Sequence, residues 1–137
     1  MGEPRAVIEQ LVRCINDRDG DDARTLVAPD ARLVTASGAE VDVDGLIHGL
    51  LRVIESFPDV TFRVDRFVCD GEFVCSEEVL TGTHERPFAG LAATGKVIEL
   101  PMLHLSRVVE GRIVERVSYH DTAGFLRRLS GSSLPSP

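Results

Sequence analysis

No apolar run in this sequence approaches the roughly 18 residues that a membrane-spanning helix needs. The opening residues, Met1-Gly2-Glu3-Pro4-Arg5, carry no apolar signal-peptide core. Cysteine is scarce and odd in number: Cys14, Cys69 and Cys75 cannot all pair within one chain, and without an export signal they are expected to be reduced thiols in a cytoplasm. They lack metal-ligand spacing, and no two histidines stand at the close helical spacing of a zinc site, so no metal is expected. There is no glycine-rich phosphate loop ahead of a helix and no nucleophile-elbow serine. Basic residues are outnumbered, 15 against 22 acidic ones, and Lys96 is the one lysine. The resulting net charge of −7 speaks against a nucleic-acid partner, because phosphate binding wants a basic face. An anionic small molecule is also repelled at long range unless a local arginine cluster overrides the field.

What is present reads as one globular domain. The hydrophobic fraction is 43% and the charged fraction 27%, and a chain of 137 residues buries roughly 68% of its unfolded surface, so no staple is needed. Val7, Ile8, Leu11, Val12 and Ile15 recur at helical spacing after Pro4. A short second helix, capped by Asp21 or Asp22, is expected through Leu26 and Val27 and closed by Pro29. Ala31 to Thr35 reads as a strand. Asp44 is the expected cap of a third helix with Leu46, Ile47, Leu50, Leu51 and Ile54 on its apolar face, stopped by Pro58. The period then drops to 2: strands are expected over 60–68, 73–83, 97–109 and 112–120, with Asp70-Gly71 and Glu110-Gly111 as hairpin turns. Asp121 opens a last short helix. Helices first and a strand meander after them give an α+β fold, with residues 1–130 as the domain and 131–137 as a mobile tail.

Three segments carry a family likeness. Gly45 with Phe57-Pro58-Asp59, then Thr81-Gly82-Thr83-His84 with Phe88, Gly90 and Thr94-Gly95-Lys96, and finally Glu110-Gly111-Arg112-Ile113-Val114-Glu115 with Asp121 and Phe125-Leu126, together resemble the SnoaL-like polyketide cyclases. The resemblance spans about residues 4 to 130. It implies the conical fold shared with ketosteroid isomerase: a curved antiparallel sheet wrapped around N-terminal helices, an apolar pocket, and usually a homodimer. It also implies a role for Asp121, as the group that moves protons during an intramolecular aldol ring closure without a cofactor. The sequence departs from the family pattern at Arg86-Pro87, where a glycine often follows the histidine, and at Val117, where tryptophan is common.

Each candidate residue has a plain structural alternative. A carboxylate at a strand end facing an apolar pocket is partly desolvated and becomes a better base, yet Asp121 directly precedes a helix and is equally placed to cap it. His104 shares one strand face with Leu100 and Met102, where it could orient a carbonyl or donate to an enolate, or simply be a satisfied core histidine. Tyr119 shares the parity of Val117 and Asp121, barring a bulge, and could bind an oxyanion or fill the cone. Phe57, Phe62, Met102, Val117 and Tyr119 are the expected pocket lining. His48, His84 and His120 are weaker candidates, and one of Glu77 and Glu78 must point inward unless their strand is an edge or a dimer contact.

The leading function is therefore a cyclase or isomerase acting on an apolar or aromatic small molecule, with Asp121 and His104 as the catalytic pair. The alternatives are a hydroxylase or epoxide-opening hydrolase on the same fold, and a non-catalytic binding or dimerisation module. Ketosteroid isomerase itself is disfavoured, because Thr35 stands about where its first-strand aspartate is expected. The strands carry more apolar residues than one cone interior needs, with Val97, Leu103, Leu105 and Val108 expected partly outward, which points to a sheet-to-sheet homodimer.

Overall fold

The computed structural model describes residues 3–131. Helix α1 spans Pro4–Asn16, with proline in its first turn and Val7, Ile8, Leu11, Val12 and Cys14 buried. Helix α2 is shorter than expected, Gly20–Thr25, and its cap is Asp19, whose carboxylate accepts from the Asp22 N–H at 3.0 Å. Strand β1 begins at Val27 and runs to Val34, straight through Pro29. The proline is tolerated because the register of β1 against its neighbour jumps between Val27 and Arg32, so the missing N–H costs no ladder bond. A two-residue strand β2, Glu40–Val41, precedes helix α3, Val43–Ser56. The α3 cap is Asp42, which accepts from Gly45 N–H at 2.8 Å, while the expected cap Asp44 pairs with Arg24 instead.

Strands β3 (Thr61–Asp70), β4 (Phe73–Thr83), β5 (Val97–Val109) and β6 (Arg112–Tyr119) form the expected antiparallel meander, and helix α4 (Thr122–Ser130) closes the domain. The six strands make one sheet in the order β2-β1-β6-β5-β4-β3, curved and unclosed. β1 lies parallel to β6, so one parallel pair sits within an otherwise antiparallel sheet. At the β5–β6 turn Glu110 and Gly111 both take positive φ, 51° and 76°, as a two-residue hairpin loop with the strands' own twist requires. Of the expected tail, only Gly131 belongs to the described residues; it caps α4 in the left-handed conformation.

Alternation along β5 puts Ile98, Leu100, Met102, His104, Ser106 and Val108 on one buried face. α1 packs across β3, β4 and β5 on that side, and α3 packs against β1. A single irregularity in β6 governs what joins them. Val108 pairs with Ile113 but Arg107 pairs with Glu115, so Val114 is an extra residue. One such bulge flips every following side chain. Ile113 points inward before it; after it Arg116 is the buried residue, and Val117 and Tyr119 turn to the outer face.

Candidate functional site

The concave face of the sheet and the helices laid over it enclose a cavity of about 440 Å³. Its walls are apolar: Leu11 and Ile15 from α1, Leu46, Leu50 and Val53 from α3, Phe125 and Leu126 from α4, and Phe62, Leu80, Leu100 and Met102 from the sheet. Phe57 at the end of α3 completes them, packing edge-on to Phe88 at 5.4 Å between ring centres.

The floor is polar and comes from three adjacent strands. Pairing sets Ser76 on β4 opposite His104 on β5, His104 opposite Ser118 on β6, and Ser106 opposite Arg116. Glu78 lies two residues from Ser76 on the same face. Arg116 donates from Nη1 to Ser106 Oγ at 2.9 Å and from Nη2 to Glu78 Oε2 at 3.3 Å. Ser76 Oγ donates to the same carboxylate oxygen at 2.7 Å. Glu78 is 2% exposed and Arg116 7%, so this is a desolvated ion pair, stable only because the hydroxyls satisfy what the pair leaves over. Burial pushes the Arg116 pKa down and Glu78 pulls it back up.

His104 stands beside this pair. Its Nδ1 shares a 2.7 Å hydrogen bond with Ser118 Oγ, and its Nε2 lies 3.7 Å from Glu78 Oε1. Burial, then the charges of Arg116 and His120, hold its pKa well below 6.5. The imidazole is therefore neutral near pH 7, and its approach to Glu78 is neither an ion pair nor, at that distance, a hydrogen bond. Glu78, His104, Arg116, Ser118 and His120 all line the cavity.

Asp121 occupies a different setting. Its Oδ1 accepts from Gly124 N–H at 2.9 Å, capping α4, and the residue is exposed and outside the cavity wall. The carboxylate lies so close over Gly124 that a Cβ there would collide with it. Its neighbour His120 does reach the cavity; burial lowers the His120 pKa and Asp121 raises it.

Of the expected site residues, His104, Phe57, Phe62 and Met102 meet around one cavity. Val117 and Tyr119 do not line it; the bulge at Val114 turns them outward, and Tyr119 is 56% exposed. The question of Glu77 and Glu78 resolves in favour of Glu78 as the inward residue. Arg116 and Ser118 went unrecognised, since the bulge that points them inward has no sequence signature. Ser76 and Ser106 were missed as well, although each continues the inward alternation of its strand. His84, fully buried and stacked on Phe57, is held through Nδ1 by the Thr94 N–H and lies off the cavity. Among the described residues no cluster of histidine, cysteine or acidic side chains could hold a metal ion, and no helix is long and apolar enough to cross a membrane.

An α+β cone with an apolar cavity and a compact polar floor defines a small-molecule site. The chain belongs to the SnoaL-like polyketide cyclase family, whose profile matches residues 5–129. It is similar to IdmH, a candidate polyketide cyclase from Streptomyces antibioticus, at 32% identity over 93% of this chain and 99% of that one, with a TM-score of 0.85. AclR, a candidate hydroxylase from Streptomyces galilaeus, shares the fold at 23% identity over 97% and 98% of the two chains and the same TM-score. So does a SnoaL-like protein from Jannaschia sp. CCS1, at 21% identity over 96% and 94%, TM-score 0.85. No curated protein sequence matches the chain.

Proposed function

We propose that the protein closes a ring in an apolar, polyketide-derived substrate by an intramolecular aldol-type reaction, with His104 as the group that moves the proton. With its own proton on Nδ1 and donated to Ser118, His104 keeps the Nε2 lone pair for the substrate. Nε2 takes a proton from the carbon next to one carbonyl; the resulting enolate carbon attacks a second carbonyl carbon of the same molecule. The new C–C bond leaves an alkoxide, which recovers the proton from the imidazolium. Glu78, 3.7 Å from Nε2, favours the imidazolium while it lasts. Phe57, Phe62 and Met102 hold the carbon skeleton and keep water out.

The observation that carries this reading is His104's position: an uncharged imidazole on the cavity floor, oriented by Ser118, whose Nε2 makes no hydrogen bond among the described residues. His104→Phe keeps the ring shape and removes the base. Turnover of the substrate should fall by about 10²–10⁴, the range that positioned acid–base groups contribute. Full turnover in that variant would pass the role to Asp121.

Asp121 is the second reading, favoured by one observation. Its cap uses Oδ1, and it neighbours His120, which lines the cavity. On this reading Asp121→Asn keeps the cap and loses turnover, while His104→Phe is nearly silent.

The proposal includes a homodimer. Leu103, Leu105 and Tyr119 are 41%, 39% and 56% exposed on the outer face, where Leu103 pairs with Tyr119 and Leu105 with Val117. A contiguous apolar patch of this kind marks an interface. Light scattering should give twice the chain mass, and Leu103→Glu should return the monomer.

A further inference from the structure

The cavity has an unbalanced charge. Its lining includes three permanently charged candidates, Arg52, Glu78 and Arg116. Glu78 and Arg116 cancel one another on the floor at 3.3 Å. Arg52, on α3, is left, and its guanidinium makes no hydrogen bond or ion pair among the described residues.

Arg52 also looks outward. A second cleft of about 550 Å³ lies between α3 and the loop after β4 and is lined by Gly49, Arg52, Val53, Glu55, Ser56 and residues 86–89. Gly49, Arg52, Val53, Phe88 and Ala89 belong to both walls, so the outer cleft continues the cavity. Across it from α3 stands Arg86, exposed, whose guanidinium likewise has no hydrogen bond or ion pair among the described residues. The segment that presents Arg86 is fixed: Ser56 O accepts from the N–H groups of Glu85 and Arg86, and Ser56 Oγ donates to Pro87 O at 2.8 Å. Glu55 shares the outer cleft but does not reach the cavity wall, so the charge at the junction of the two is Arg52's.

In a chain of net charge −7, two unpaired guanidinium groups at the mouth of an apolar cavity are the local arginine pair that can override the general field. Neither guanidinium holds another element of the fold through a hydrogen bond or ion pair among the described residues. A guanidinium fork matches a carboxylate in geometry as well as charge. We infer that the ligand is an amphiphile, an apolar ring-forming body seated in the cavity with a carboxylate at the mouth held by Arg52 and Arg86. This inference rests on the reading of the cavity as a small-molecule site, and it adds the polarity and direction of the ligand. The carboxylate end stays at the mouth, so the opposite end is the one that meets His104.

The test compares 2-anthracenecarboxylic acid with its methyl ester, which share a fluorescent apolar body and differ in charge. Fluorescence titration of the full chain at low ionic strength gives a Kd for each, and the ratio within each variant is the readout. The native chain should prefer the acid severalfold, because a charge-assisted fork is roughly twice as strong as a neutral hydrogen bond. The preference should shrink in Arg52→Gln and in Arg86→Gln, vanish in the double variant, and reverse in Arg52→Glu. Arg52→Lys, which keeps charge but not the fork, should retain part of it. Raising the salt should weaken the preference. Equal binding of acid and ester by the native chain, or a preference that survives in the double variant, would overturn the inference and leave the cavity as a ligand site. If neither compound binds, the cavity reading fails and the inference falls with it.

Discussion

Two places in this molecule set a carboxylate beside a histidine, and they differ in almost every physical respect. On the cavity floor Glu78 lies near His104; at the β6–α4 junction Asp121 precedes His120's partner helix and sits next to His120. The floor carboxylate is 2% exposed and committed to Arg116 and Ser76, whereas Asp121 is exposed and gives one oxygen to a helix cap. His104 is driven to neutrality by burial and by the nearby guanidinium; His120 feels burial less and has Asp121 to counter it. Residue type alone does not separate the two pairs. Burial and the company of Arg116 do, and they make the floor a place where a neutral imidazole faces an apolar cavity.

The contrast breaks most sharply at Arg116. Arg116→Met leaves Glu78 buried without its counter-charge and should cost about 3–5 kcal/mol in urea unfolding, the usual penalty for halving a buried pair. Adding Glu78→Leu should recover most of that loss. An Arg116→Met protein that unfolds like the native one would mean the floor is wetter than its burial indicates.

A smaller effect appears with pH. The folded pKa of His104 lies below its unfolded value of 6.5, so the unfolded chain takes up the proton first as pH falls. Its contribution is fully present above pH 6.5 and is lost as pH falls from there toward the folded pKa, by up to about 1.4 kcal/mol per pH unit for one proton. His120 has the same sign, so the readout is the native curve minus that of His104→Asn, measured by denaturant unfolding from pH 7 downward. Parallel curves would show that His104 is not buried neutral.

The smallest effects belong to the rim. Asp121→Ala should cost about 1 kcal/mol and Asp121→Asn only a few tenths, the pattern of a helix cap. In a Gly124→Ala background, where the carboxylate is displaced, Asp121→Ala should add little further; thermal unfolding of the four variants checks this.

These elements also show what the sequence could and could not disclose. α1, α3 and β3 to β5 were legible because each turns one face to the core, wholly or partly buried, and so repeats its apolar residues at the period of its backbone. The start of β1 was hidden by Pro29, which ends most strands but is harmless where the register is broken. The cap of α3 was placed two residues late because Asp42 and Asp44 have the same chemistry, and only the backbone path shows which carboxylate reaches the Gly45 N–H. The decisive loss was at Val114. One extra residue moved Val117 and Tyr119 off the wall and brought in Arg116 and Ser118, so two residues of the polar floor depended on a feature with no residue pattern of its own.

The central claim is that the floor around His104, rather than the rim at Asp121, is where the substrate's reacting carbons lie. A crystal structure with an unreactive polycyclic ketone bound tests it most directly. The account predicts the ring system between α3 and the sheet, with its carbonyl end on the floor and the adjacent carbon within about 3.5 Å of His104 Nε2. A ligand whose carbonyl end turns to Asp121, or one that settles outside the cavity, would contradict it.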